Sequence, residues 1–178
     1  EEHKRIIQDC CDVKDRFVSL AYTKILGEFS NTFDIFYKCE SLVEAPSFPK
    51  GVTDISECFY ECKNLMKVPV IPESVRYMCN TFESCKSLAK APKIPKNVLD
   101  MFGCFSGCTK LEKSPVIPEG VEDMAFCFSG CISLIKAPII PESVVTLRKC
   151  FAECINLQRA PKIPKSVENM ESCFYKCR

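Results

Sequence analysis

Residues 58–72 read CFYECKNLMKVPVIP, and the stretch returns with small edits as CFSGCTKLEKSPVIP at 104–118 and CFSGCISLIKAPIIP at 127–141. In each copy Phe, Cys and Leu follow at three-residue intervals, and two prolines three residues apart close the run. Extending the frame along the chain gives Cys39, Cys62, Cys85, Cys108, Cys131, Cys154 and Cys177, each 23 residues from the next, with no insertion or deletion. Phe36, Phe59, Phe82, Phe105, Phe128, Phe151 and Phe174 precede them by three positions. Leu42, Leu65, Leu88, Leu111, Leu134 and Leu157 follow by three, and all twelve prolines share the same register. Val52, Val75, Val98, Val121, Val144 and Val167 recur on the same period, each followed three places on by Ile, Met or Leu.

A strict period with constant apolar positions predicts a solenoid, in which each unit is one coil that hides its apolar side only by stacking on its neighbours. The run from Leu to the first Pro is the candidate strand, one rung of a parallel sheet per coil. Proline has no N–H to give, so each Pro marks the end of ladder pairing. Gly51, Ser74, Asn97, Gly120, Ser143 and Ser166 occupy a turn position between the second Pro and the Val, where positive φ is one expectation. The return segment from Val to Phe reads equally as a short strand or a helical turn. Residues 1–34 lie outside the frame, and Ile6, Cys10, Val13, Phe17, Leu20 and Ala21 keep helical spacing, so an amphipathic helix capping the first coil is expected. The domain reading is therefore 1–34 as helical cap and 35–178 as solenoid, with six 23-residue repeats and a truncated seventh.

At 178 residues the chain has room for one ordinary domain or one short repeat array. Twenty-four basic against twenty-three acidic residues leave a net charge of +1, which gives no whole-molecule attraction to nucleic acid or to an anionic membrane. No apolar run is long enough to cross a bilayer, and the opening EEHKRIIQDCC is too polar for a secretory core. Starting without Met and breaking off within a motif, the chain reads as a mature or excised piece.

The fifteen cysteines raise redox and metal chemistry as alternatives to packing. Five repeats carry both cysteines of Cys-Phe-x-x-Cys, but two keep the second and place Ile35 or Thr81 at the first. A pair that loses one member without the other is not the essential unit, and so short a loop would gain little from closure. A stack of equivalent thiols offers no tetrahedral grouping, and the sole histidine, His3, lies outside the repeats. The pattern favours buried cysteine acting as a small hydrophobe. Cys10, Cys11 and Cys79 lie off the columns and are expected to be the exposed or reactive ones.

The order Phe-x-x-Cys-x-x-Leu, an Ile-Pro turn, then Val and Ile or Met on this period resembles the BspA-like, Treponema-type leucine-rich repeats over residues 36–178. The chain departs from the common pattern in carrying Ala-Pro-x-Ile-Pro and in often placing Cys directly before Phe. The resemblance implies an α/β repeat solenoid, a right-handed leucine-rich-repeat coil with one short parallel strand per repeat. It also implies a cell-surface or secreted protein concerned with adhesion or recognition, with no catalytic residues to carry over. If the thiols are reduced in life, a cytoplasmic scaffold or effector is the reading instead.

Two features could bind a partner. Two residues after each Leu stand Glu44, Lys67, Lys90, Lys113, Lys136 and Arg159, so five successive coils present a cation at one site. Rungs lie ~4.8 Å apart, and like charges at that spacing repel in water by only ~0.8 kcal/mol before screening. Such a column is tolerable as a plain solvated face or serves as a stripe for a sulfated glycan or acidic protein surface. One place after the first Pro, Val70, Val116 and Ile139 suggest an apolar patch beside the lysines, with Phe102 and Phe126 as candidate additions. No internal His accompanies a Cys nucleophile, and no Gly-rich phosphate loop or base-stacking aromatic set is present. The expectation is a non-enzymatic module without cofactor or metal, binding a protein or anionic glycan rather than nucleic acid. The rival is a structural spacer or self-association element using the uncapped C-terminal repeat.

Overall fold

The computed structural model describes residues 34–48 and 50–178. The helical cap expected for 1–34, with Cys10 and Cys11, falls outside these residues except for Asp34. Bridged residues lie 23 positions apart, and counting coils by that spacing divides the described residues into 35–57, 58–80, 81–103, 104–126, 127–149, 150–172 and 173–178.

Two ladders join the coils. On the first, parallel bridges pair Glu44 with Lys67, Lys90 with Lys113 and Lys113 with Lys136. On the second, Asp54, Tyr77, Asp100, Asp123, Thr146 and Asn169 pair in turn, each with the residue 23 positions on. Neither ladder grows into a longer strand, and no helix occurs among the described residues. The expected α/β character with a strand in every repeat is therefore not what these residues form. Proline ends pairing shortly after the first ladder, and left-handed residues interrupt the chain after the second.

Those left-handed residues explain the return side. The residue before each Cys position has φ between 51° and 61° where it is not glycine: Glu57, Asn80, Phe126, Lys149 and Ser172 precede the first position, and Glu61, Ser84, Glu153 and Lys176 the second. Between them sit single turns closed by i→i+3 bonds, such as Cys58 N to Ile55 O, Tyr60 N to Glu57 O and Cys62 N to Phe59 O. The alternate amides turn outward along the stack: Ile55, Glu57, Phe59 and Glu61 donate to Tyr77, Cys79, Thr81 and Glu83 of the next coil. Every amide from Ile55 to Cys62 other than that of Ser56 is thus engaged by backbone, and Ser56 N donates to Asp54 Oδ1 at 2.9 Å, so this buried segment needs neither strand nor helix. Positive φ at the turn after the second Pro occurs only at Gly51. Ser74, Ser143 and Ser166 instead donate their hydroxyls to Val52, Val121 and Val144 carbonyls of the preceding coil at 2.7–2.8 Å, and Asn97 Nδ2 reaches Glu73 O at 2.7 Å.

The interior is a set of columns. Phe36, Phe59, Phe82, Phe105, Phe128 and Phe151 are buried and stack ring on ring with Phe174, centroids 5.3–5.7 Å apart and planes within 14°. Leucine, valine and the Ile/Met/Leu position form parallel columns around them. Burial of one such side chain is worth ~1.5–3 kcal/mol, and each ring pair adds ~0.5–1.5 kcal/mol.

Candidate binding groove

The cysteines sort into the core first. Cys62, Cys85, Cys108, Cys131, Cys154 and Cys177 each point Sγ at the Phe carbonyl of the coil before, donating at 3.0–3.2 Å. At the first position, Thr81 Oγ1 donates in the same way to Ile55 O at 3.1 Å. The thiols are therefore hydrogen-bonded donors as well as filling. Burial pushes Cys62 and Cys154 up to about 12 and holds Cys85, Cys104, Cys108, Cys127, Cys131 and Cys150 well above the ordinary thiol range. Cys79, expected to be reactive, is half-buried, and desolvation followed by the Asp100 carboxylate pushes its thiol up to about 12. Cys39 alone among the described cysteines is disulfide-bonded, and its partner is not among the described residues. Among the described residues, no group of three or more His, Cys, Asp or Glu side chains is placed to hold a metal.

The surface of the first ladder is where charge gathers. The bridges put Lys90, Lys113 and Lys136 directly above one another, and all three are exposed. Lys67 is engaged by Glu44, Nζ to Oε2 3.1 Å. Lys90, Lys113, Lys136 and Arg159 make no ion pair among the described residues; the first three are bridged in register, and Arg159 follows one coil on without a bridge to Lys136.

Three residues beyond the cations, Val116 and Ile139 are 88% and 90% exposed on adjacent coils. Val70 is 87% exposed but stands two coils from Val116, with Lys93 between, so it is not part of their patch. Phe102 and Phe126 do not join it either. They lie beside the second ladder, rings 5.5 Å apart, with Arg148 Cζ 5.1 Å from the Phe126 centroid.

The C-terminal end of the column and Ile139 of the patch meet in a groove of about 660 Å³. Lys136, Arg159 and Ile139 line it, over a floor of Ala137, Pro138 and Pro161. Missed by the sequence reading are Ile135, 48% exposed immediately before Lys136, and Glu119 and Glu142 on the far wall. The signal for Ile135 was available in outline: Val43, Met66 and Ile135 share the position before Glu44, Lys67 and Lys136 and are all exposed. The fixed prolines bend the chain away after the ladder, and that bend makes a groove where the sheet alone would leave a flat face.

Within each coil the order across this face is cation, then the residue after the first Pro, then the residue after the second Pro. Lys113, Val116, Glu119 and Lys136, Ile139, Glu142 give two adjacent coils the series cation, aliphatic, carboxylate. The flanking coils read Lys90, Lys93, Lys96 and Arg159, Lys162, Lys165. An exposed, uncompensated cation row beside an aliphatic row can hold anionic groups and hide apolar ones together. It offers no nucleophile paired with a base.

Comparison with known proteins agrees with this architecture. No curated protein matches the chain. Among solved structures, a Treponema pallidum leucine-rich-repeat protein is 28% identical with a TM-score of 0.66, over 77% of this chain and 64% of that one. A leucine-rich-repeat protein of Bacteroides ovatus is also 28% identical, with a TM-score of 0.69, over 80% of this chain and 37% of that one. The chain thus spans less than two thirds of the length of either. The BspA-type leucine-rich-repeat region matches residues 30–124 and 81–178 in six copies. Repeat period, interior columns and this match agree: the chain belongs to the BspA-type leucine-rich-repeat family.

Proposed function

We propose that the chain is a non-enzymatic recognition module that holds a partner on the first-ladder face. The observation that carries this is the column Lys90, Lys113 and Lys136, exposed, bridged in register and without an ion pair among the described residues, leading to Arg159 and a groove with Ile135 and Ile139 in its wall. The ligand class is a protein surface or an anionic glycan. Membership of a repeat family supports an interaction role, and the resemblance to surface proteins of host-associated microbes supports adhesion at a cell surface or after secretion. Buried thiols are compatible with that setting because burial shields them, and the disulfide at Cys39 favours an oxidising compartment over a cytoplasmic scaffold. No helix among the described residues is long and apolar enough to cross a membrane.

The test is binding to immobilised heparin, a polyanion probe, over a salt series. The triple variant K90Q/K113Q/K136Q should lose most salt-sensitive retention, its log–log salt slope flattening by about one unit per charge removed, by analogy with counterion release from other polyanions. Retention equal to the parent would remove the basic column from the account. A second reading is a structural spacer or self-association element that makes its contacts away from the basic face. Sedimentation over a concentration range separates the two, because those contacts do not need the lysines.

A further inference from the structure

We infer that the partner presents an amphipathic helix to this face, lying along the stacking direction. Its carboxylates would meet Lys113, Lys136 and Arg159, and an adjoining aliphatic stripe would cover Val116 and Ile139. The inference rests on the binding role just proposed and narrows its ligand.

Spacing argues first. Coils stack at ~4.8 Å, and Gln158 N donates to Ile135 O at 3.0 Å to carry the stacking one coil beyond the last bridge, so Lys90 and Arg159, three coils apart, span ~14 Å along the axis. Three turns of an α-helix at a ~5.4 Å pitch span ~16 Å, a mismatch that long, flexible lysine and arginine side chains absorb. An extended peptide shows the same face every ~6.6 Å, ~20 Å over three intervals, and falls out of step by a whole rung. Residues i, i+3, i+7 and i+10 on a helix, one per turn, thus meet successive cations, as alternate residues of a strand do not.

Chemistry argues second. Val116 and Ile139, at 88% and 90% exposed, keep nearly all their apolar surface in water. A sulfated glycan satisfies the cations and offers no aliphatic side chain for that row. Glu119 and Glu142 line the groove beyond the aliphatic row. Across the face the order is therefore cation, aliphatic, carboxylate. The complementary helix carries acid, aliphatic and basic stripes side by side, and the far carboxylates repel a helix that is acidic all round.

The probe is an N-acetylated synthetic peptide of about 18 residues, long enough to hold helix, with Glu, Leu and Lys on three adjoining stripes. Its control is a scrambled peptide of the same composition. Affinities are read by fluorescence anisotropy, with heparin measured in parallel. The striped peptide should bind at least about tenfold tighter than the scrambled one, a difference of ~1.4 kcal/mol. V116S/I139S, two changes at exposed positions, should lose about that factor for the peptide and leave heparin binding as it was. Equal binding of the two peptides, or a V116S/I139S protein that holds the striped peptide as the parent does, overturns the helix. If heparin retention still depends on Lys90, Lys113 and Lys136 in that case, the basic-face reading stands and only the helix falls. Loss of charge dependence for heparin itself is the separate failure of the broader reading.

Discussion

Phe59 offers a carbonyl with two lone pairs, one taken by the Cys62 amide at 3.1 Å and the other by the Cys85 thiol, one coil on, at 3.2 Å. The thiol bond recurs down the second column from Cys62 to Cys177, so a residue there must be small, apolar in bulk and able to donate. Cysteine meets all three demands; serine would donate but is more polar and smaller, and valine cannot donate. The first column, where Cys, Ile and Thr interchange, reads from sequence as a matter of volume alone. Thr81, whose hydroxyl reaches Ile55 O, was the one hint that hydrogen bonding mattered. Neutral donor thiols tie stability to pH. Cys62 and Cys154 go from an ordinary value of 9.0 to about 12 on folding, so the unfolded chain gives up their protons first. Their contribution is fully present below about pH 9 and is lost as pH rises from there through about 12, at up to ~1.4 kcal/mol per pH unit for each such thiol. The urea midpoint, measured with reductant present, should be level from pH 6 to 8 and fall steeply from about 9 upward. A midpoint level to pH 10.5 would mean the sulfurs are open to solvent in the folded chain.

Left-handed residues set four apart give each coil its return segment, and six different residue types besides glycine occupy the first of these positions: Asp34, Glu57, Asn80, Phe126, Lys149 and Ser172. Such variety carries no signature, so sequence alone could not tell strand from helical turn there, and the answer is neither. Glycine appears where a side chain has no room. Gly103, at φ 58°, sits against Asn80, and a Cβ on it would overlap Asn80 Oδ1. Gly103→Ala should therefore cost ~1–2 kcal/mol for the left-handed backbone and about 1 kcal/mol more for the displaced amide. In an Asn80→Gly background only the first part should remain, and a double-mutant cycle on denaturant midpoints reads the difference. Gly120, outside the left-handed region and with a new Cβ 3.4 Å from Val98 O, is the control: Gly120→Ala should change stability by less than about 0.5 kcal/mol. Equal costs at 103 and 120 would show that the turn tolerates any residue. Phe126 is the costly exception, a bulky left-handed residue whose ring contacts with Phe102 and Arg148 offset part of the strain.

Across the whole molecule, interior columns and surface rows are two readings of one register, and that is why so much of it was legible. Phe, Cys, Leu and Val named their buried columns, and Lys90, Lys113 and Lys136 their exposed one, because equal spacing puts equal positions together. The groove at Lys136 and Arg159 was not legible, since it depends on how Pro138 and Pro161 carry the chain past the ladder. The exposed carboxylates on its far wall follow from the same bend. If register is what holds the array, deletions should be judged by length rather than by content. Removing residues 108–130 takes out 23 positions and joins Gly107 to Cys131, restoring the Gly-Cys junction of the parent. Phe105 then stacks on Phe151, and each contact between neighbouring coils is regenerated one coil sooner. That variant should unfold cooperatively with a lower midpoint, having lost one coil and its nearest-neighbour contacts. Removing residues 109–130, one position fewer, slips every later column by a residue and should abolish the cooperative transition. The register-keeping deletion also removes Lys113, so the cation column shortens while Lys90 and Lys136 become neighbours. Its heparin salt slope should fall by about one unit relative to the parent, and an unchanged slope in a folded variant would detach the binding face from the repeat that builds it.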